Sequence, residues 1–323
     1  MRAALYDHAG PAAEVLRVQE VDRPEPGPGE VRVRIALSGV NPTDWKARSG
    51  AVPRPIDGFQ IPHQDGAGTI DAVGDGVDPG RVGQRVWLFM AAAGRRWGTA
   101  AEWTVLPARQ AVALPDGVSW ELAAALGVPA ITAHRCVFAN GPVAGQTVLV
   151  AGGAGAVGHF AIELAKQGGA RVITTVSGPE KAELAARAGA DHVINYRDPD
   201  AADQIRALGA PVDRVVELAL GQNIALDLAV CRPHAHIAVY AADGQDPVLP
   251  VRPCMTANVT LEFVLLYGVP RADLDQAAAD ITLALADGAL SALPVTSFPL
   301  DGVAAAQDAV EQGTVGKVVV APN

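Results

Sequence analysis

Two hydrophobic patterns divide the chain. In Glu30–Leu37, Val31, Val33 and Ile35 alternate with Arg32 and Arg34, the period-two pattern of a half-buried strand. Similar short runs lie at 69–73, 85–89, 100–105 and 111–114, broken by proline and glycine turns, and residues 1–20 read as two more strands around His8-Ala9-Gly10-Pro11. Many short strands at this spacing predict an all-β, barrel-like region. Asn41-Pro42 ends one strand in a polar turn, and 52–62 is a proline-rich loop.

From Ser119 the pattern changes. Ser119 is placed to cap a helix that opens at Trp120 and is broken and restarted around Gly127-Val128-Pro129. Val148–Ala151 is then a short apolar run, followed by Gly152, Gly153, Gly155 and Gly158. Val157, Ala161, Leu164 and Ala165 continue at the spacing of one helix face. Gly153, Gly155 and Gly158 fit G-x-G-x-x-G, and Gly152, Gly155 and Gly158 fit a second register. Strand, glycine turn and helix together predict a pyrophosphate cradle from Gly152 through Gly153, Ala154, Gly155, Ala156 and Val157 to Gly158. Strands at 171–176 and 192–195 with a helix from Lys181 between them complete a βαβαβ half. Further strands follow at 212–217, 236–240 and 259–267, with helices at 223–230 and 272–288. The tail, with strands at 293–300 and 317–320 and a helix at 303–312, returns to the β region. The expected division is therefore 1–120 with 268–323, and 121–267 inserted between them.

The end of the second strand bears on the cofactor. NAD sites carry an acidic residue there for the ribose 2′-hydroxyl. Thr174-Thr175-Val176-Ser177-Gly178 has none, and Ser177 with Lys181 could hold a 2′-phosphate, joined by Tyr196. This favours NADPH. Lys181 as a solvated helix-face cation and Tyr196 as a packing residue are the plain alternatives.

Composition narrows the class. Half the 323 residues are hydrophobic, so the chain is globular. A net charge of −10 argues against a nucleic-acid surface. No apolar run is long enough to span a membrane, and no charged segment leads into a long apolar one as in a signal peptide. Cys136, Cys231 and Cys254 are far apart, which fits a reducing cytoplasm and gives no metal cluster.

The chain resembles the medium-chain dehydrogenase/reductase superfamily, in the zinc-free, ζ-crystallin-like quinone oxidoreductase branch. The resemblance rests on Ser38-Gly39-Val40-Asn41-Pro42-Thr43-Asp44, Arg48-Ser49-Gly50 and Asp65-Gly66-Ala67-Gly68. It continues through Gly98-Thr99-Ala100-Ala101-Glu102, residues 127–133, the glycine turn, Asn195-Tyr196-Arg197 and Gly316-Lys317-Val318-Val319. It implies an α/β fold made of a GroES-like β-barrel catalytic domain and a Rossmann doubly wound parallel-sheet cofactor domain. It also implies NADPH-dependent reduction of a quinone or a conjugated carbonyl, and a homodimer. Zinc members have a cysteine where this chain has Ser38 or Asn41, and a His-Glu pair where it has Gln64-Asp65. His63 with Asp65 falls short of the three or four ligands zinc needs. His63 reads instead as a loop histidine near the cleft.

Two departures matter. Lys46 stands where quinone reductases of the branch have tyrosine, and the run ending Trp45-Lys46 looks more like enone and alkenal reductases. Pro233-His234-Ala235-His236 replaces a Gly-Gly-Arg turn. By the resemblance, Asn41 contacts nicotinamide and substrate, Thr132 lies beside the nicotinamide, and Lys317 of the closing motif is a cofactor-binding candidate. Lys46 is a candidate proton donor or enolate stabiliser, or a solvated loop lysine. Trp45 is a cleft wall or a core anchor. Tyr240 and Tyr267 follow strand-like runs, where open α/β sheets bind ligands, as proton donors or cofactor-lining groups. Quinone reductase, enone reductase, and a cofactor-binding sensor or crystallin-like protein with little turnover are the three functions this leaves.

Overall fold

The computed structural model describes residues 1–242 and 247–322. Two compact units result, Met1–Val128 with Ala292–Asn323, and Pro129–Ser291.

The first unit is built on a seven-stranded sheet. Six strands run in the order Val295–Pro299, Lys317–Ala321, Glu30–Gly39, Asp65–Val73, Arg85–Leu88, Ala111–Ala113, and Trp103–Pro107 also pairs with Glu30–Gly39. Arg2–Leu5 and Arg17–Glu20 form a separate antiparallel pair. The central strand buries Val31, Val33 and Ile35 with Ile70, Val86, Leu88 and Leu106, as its alternation predicts. Arg32 departs from that pattern. It is buried as well, and its guanidinium pairs with Glu25 at 2.7 Å and Asp71 at 2.8 Å. A long charged side chain can be taken out of water there because two carboxylates, one exposed and one partly buried, meet its guanidinium.

The expected polar turn after Asn41 is the helix Pro42–Ser49. Proline occupies its first turn, the Asn41 N–H donates to Asp44 Oδ2 at 2.7 Å, and Gly50 ends it. Its buried positions are Asp44 and Arg48, four residues apart, so it carries no apolar stripe for periodicity to detect. The break expected at Gly127–Pro129 is also absent: Trp120–Phe138 is one helix with Pro129 inside it. Ser119 caps it through the Leu122 N–H at 3.2 Å. The Val128 N–H donates to Asp65 Oδ1 at 2.7 Å, so a side chain takes a backbone donor in the turn that the proline perturbs.

The second unit holds six parallel strands in the order His192–Asn195, Arg171–Val176, Thr147–Ala151, Val212–Glu217, Cys231–Val239, Thr260–Phe263. Numbered within the unit this is 3-2-1-4-5-6, the doubly wound order. Leu149, Ile173, Val215 and Ile237 form the buried layer against Ile205 and Ile224. The last strand stops at Phe263, and Tyr267 lies in the short turn Leu266–Gly268. The unit also ends later than the expected 267. Helix Arg271–Ala286 buries Leu274, Ala277 and Ile281, and its Asp280 and Asp273 bond His134 at 2.9 Å and Arg135 at 3.3 Å. These contacts keep the chain in the second unit up to Ser291. Likewise the division falls after Val128, within the long helix, and not at 120.

The Pro233–His236 segment lies inside Cys231–Val239 as an irregularity. Pairing jumps from Val212 with Cys231 to Arg214 with His236, and exposed His234 takes φ of 64°. A side chain in that left-handed region costs roughly 1 kcal/mol that glycine avoids, partly offset by glycine's greater freedom when unfolded. His234→Gly is therefore expected to raise the unfolding free energy by up to about 1 kcal/mol, read from denaturant midpoints. A lowered midpoint would show that the histidine side chain stabilises the turn.

Candidate active site

The polar residues of the first unit converge behind Asn41. Its Nδ2 donates to Asp65 Oδ2 at 2.6 Å, and its Oδ1 accepts from Lys317 Nζ at 2.8 Å. Lys317 Nζ also stands 3.5 Å from Asp65 Oδ2. All three side chains are buried. Burial pushes the Asp65 carboxyl up, against the pull of Lys317, Asn41 and the Val128 N–H. Burial pushes the Lys317 ammonium down, against the pull of Asp65 and Asp44. The cluster fits because residue 39 is glycine: a Cβ there would lie 2.1 Å from the Ala124 carbonyl oxygen and 3.1 Å from both Asp65 Cβ and Lys317 Cε.

A directed chain of hydrogen bonds backs this cluster. Arg48 Nε donates to Gln307 Oε1 at 3.1 Å, so Gln307 presents its NH₂ to His63 Nε2 at 3.3 Å. His63 therefore carries its proton on Nδ1 and donates to Ser38 Oγ at 2.9 Å. Ser38 then donates to Thr99 Oγ1 at 2.7 Å, and Thr99 to the Asp65 carbonyl oxygen. Burial, with the Lys317 charge, holds His63 neutral by lowering its pKa to about 3. His63 is thus a fully buried connector, in place of the loop histidine expected from sequence.

Beside this chain a pocket opens, with Tyr6, Asp44, Arg54, Gln60 and Gln64 among its polar walls and Ile56 among its apolar ones. Tyr6 and Gln60 are tied by reciprocal backbone bonds of 3.0 and 2.8 Å. Burial, reinforced by Asp44, pushes the Tyr6 phenol up to about 12. Burial and the Asp65 charge push the Asp44 carboxyl up to about 7, with Lys317 and Arg54 opposing. Trp45 and Lys46 share the helix with Asp44 but not the pocket walls. Both are partly exposed, with the Lys46 ammonium 5.8 Å from the Trp45 ring centre. Sequence reasoning passed over Asp44, Tyr6 and Arg54. The signal for Asp44 was its place three residues after Asn41, the spacing of a reciprocal helix cap.

In the second unit the glycine turn has the shape a dinucleotide needs. Gly152 has φ of 69°. A Cβ on Gly153 would meet Thr174 Oγ1 at 2.1 Å, and one on Gly158 the Gly152 carbonyl oxygen at 2.3 Å. Gly155 meets nothing nearer than 3.4 Å, and helix Ala156–Gln167 starts directly after it. Turn, helix–strand packing and an open approach thus fall to different glycines, and the first-turn amides of Ala156, Val157 and Gly158 have no intrahelical carbonyl to bond. Ser177 directly follows the second strand and Lys181 lies in the first turn of Pro179–Arg187, both partly buried. Tyr196 is exposed, beside Arg197. Thr132 is buried in the long helix. Tyr240 follows its strand with its N–H on the Glu217 carbonyl oxygen, and burial drives its phenol pKa far up, which keeps the proton on it.

The donor set does not suit zinc. Ser38 is bound to His63 and Thr99, both His63 nitrogens are engaged, and Gln64 is uncharged. Among the described residues no group of three His, Cys, Asp or Glu is placed to hold a metal ion.

Residues 27–116 match the family model "Alcohol dehydrogenase GroES-like domain", and residues 156–282 match "Zinc-binding dehydrogenase". A quinone oxidoreductase of Lama guanicoe is 30% identical over 99% of this chain and 97% of its own. Among solved structures, a mycobacterial protein complexed with NADPH is 31% identical with a TM-score of 0.86, and an NAD-dependent alcohol dehydrogenase is 28% identical with a TM-score of 0.90. Each of the two alignments covers 100% of both chains. With its GroES-like and parallel-sheet Rossmann units, the chain belongs to the quinone oxidoreductase branch of the medium-chain dehydrogenase/reductase superfamily and is an oxidoreductase enzyme.

Proposed function

We propose that the chain is a zinc-independent reductase that uses NADPH to reduce a quinone. One observation carries the choice of cofactor. The second strand of the cofactor unit ends in Thr175-Val176, Ser177 follows with no acid at the strand end, and Lys181 lies in the next helix turn. A hydroxyl and a cation suit a 2′-phosphate and leave the 2′-hydroxyl of NAD without its usual acceptor. The NADPH bound in the mycobacterial relative supports the same choice.

NADPH supplies the hydride when bound. The open face of Gly155 and the helix amides behind it receive the pyrophosphate, and Ser177, Lys181 and Tyr196 hold the 2′-phosphate. Thr132 and Tyr240 are proposed cofactor-lining residues, with Tyr267 beyond the sixth strand. In the first unit the amide of Asn41, held between Asp65 and Lys317, positions the reacting groups. Reduction of a conjugated C=C bond is a second reading, favoured by Trp45-Lys46 where the branch has tyrosine. In that reading Trp45 and Lys46 act on the substrate from outside the pocket walls.

The protein is further proposed to act as a cytoplasmic homodimer. Phe263 and Leu265, at the edge strand of the parallel sheet, are 69% and 67% exposed, an apolar edge suited to pairing with a second copy. The three cysteines are free, consistent with a reducing compartment. No helix among the described residues is long and apolar enough to cross a membrane.

Four measurements check this. Lys181→Ala is expected to weaken NADPH binding by about tenfold, near 1.4 kcal/mol, and to leave NADH unchanged in a fluorescence titration. Equal losses for both nucleotides would remove Lys181 from phosphate recognition. Gly155→Ala should keep the thermal midpoint of the empty protein, since its Cβ meets only ordinary contacts, yet lose most NADPH affinity. A folded variant with unchanged affinity would place the pyrophosphate elsewhere. Sedimentation velocity should give the mass of two chains, and Phe263→Lys should give one; a monomeric wild type would end the dimer proposal. Anaerobic NADPH oxidation with a simple quinone and a simple enone separates the two substrate readings.

A further inference from the structure

We propose that Asp44 is the acid that protonates the reduced acceptor, and that the acceptor's carbonyl oxygen enters the pocket walled by Tyr6, Asp44, Arg54 and Gln60. This rests on the two-electron reductase reading above and adds to it the proton source and the place of the substrate.

Four observations support it. Asp44 is 3% exposed and lines the pocket. Its Oδ2 is held by the Asn41 N–H, whereas its Oδ1 has no hydrogen-bond partner among the described residues. The carboxyl is rigidly presented: helix Pro42–Ser49 is pinned by Arg48, whose guanidinium reaches Gln307, the Gly10 carbonyl at 2.7 Å and Glu311 at 3.2 Å. The pocket, about 20 Å³ in volume and open to solvent, has room for an oxygen among its polar groups, and apolar Ile56, Pro55 and Ala47 also line it beside the carbon body that would remain at its mouth.

The surrounding charges poise the group. Asp65, Lys317, Arg54, Arg48, Tyr6 and His63 are the titratable side chains around it. With a pKa pushed up to about 7, Asp44 holds a proton in a substantial fraction of molecules at neutral pH. Its neighbours are poorly suited. Tyr6, pushed to about 12, keeps its proton. His63, lowered to about 3, has no second proton to give.

The step balances. Hydride from NADPH adds two electrons to the conjugated acceptor, and a π pair moves onto the carbonyl oxygen as an enolate or hydroquinone anion. The Asp44 O–H bond breaks as the new O–H bond forms on that oxygen. Water returns one proton to the carboxylate. NADPH is oxidised to NADP⁺, and the acceptor is reduced by two electrons.

Asp44→Asn tests this, because asparagine keeps an oxygen for the Asn41 N–H and cannot give a proton. Wild-type kcat should fall as pH rises through about 7. The variant should lose about a hundredfold or more in kcat and the dependence on pH near 7, with NADPH affinity unchanged. A variant within threefold of wild type, or one that keeps the same alkaline fall, overturns the proposal. A second measurement needs no turnover: binding of dinitrophenolate, an anion throughout the range used and a mimic of the reduced acceptor. Wild type should bind it more tightly below pH 7 than above, and the variant should bind it independently of pH. Loss of that difference in wild type overturns the proposal even if the enzyme is active. Its presence with neither quinone nor enone consumed upholds the pocket and overturns the substrate reading. Should Asp44→Asn not fold, Asp44→Glu, a proton-bearing group reset in length, should shift the wild-type alkaline fall; an unmoved fall counts against Asp44.

Discussion

The first unit depends on one buried carboxylate. Asp65 joins three segments that are distant in sequence: its oxygens accept from Val128 of the long helix, from Asn41 and from Lys317 of the last strand. A charge in that position is costly unless every lone pair is used, and breaking a buried pair by removing one partner costs about 3–5 kcal/mol. The geometry is correspondingly tight. Gly39 lets strand, helix and tail meet, and Asp65 Oδ1 lies where any side chain on residue 127 would go. The cluster thus fixes the N-terminus of helix Pro42–Ser49, and with it the direction in which Asp44 is presented.

In the second unit a different constraint holds, one of space. Gly153 and Gly158 are required because Thr174 and the turn's own backbone occupy the volume a side chain would take. Gly155 is free of such contacts, and its openness is what a ligand would use. Thr174 adds a polar link by donating to the Val150 carbonyl at 2.7 Å, tying the second strand to the first directly below the turn. The cradle is held from beneath by packing and left open above.

This difference explains what could be read from the amino acids alone. The parallel sheet was legible because its strands are apolar runs and its turn is marked by glycines; His192–Asn195 and Val212–Glu217 fall where the pattern put them. The helix Pro42–Ser49 was not, because its inward face is Asp44 and Arg48, which periodicity counts as solvent-facing. Trp45 and Lys46, the conspicuous side chains of that helix, lie off the pocket walls. The end of the second unit was missed for a related reason. Helix Arg271–Ala286 is amphipathic in either unit, and its place is decided by its ion partners His134 and Arg135, which lie far away in sequence.

The hydrogen-bond chain from Arg48 to the Asp65 carbonyl gives these polar residues a common logic. Arg48 can only donate and a carbonyl can only accept, so every member between them has its direction fixed. Gln307 cannot flip without leaving Arg48 and His63 unmatched, and His63 can carry a proton only on Nδ1. A histidine in that state has spent both nitrogens, so it is closed to a metal and to proton transfer alike. The one acid in the neighbourhood with a carboxylate oxygen left over is Asp44, among the described residues. The same network that silences His63 holds, through Arg48, the helix from which Asp44 faces the pocket.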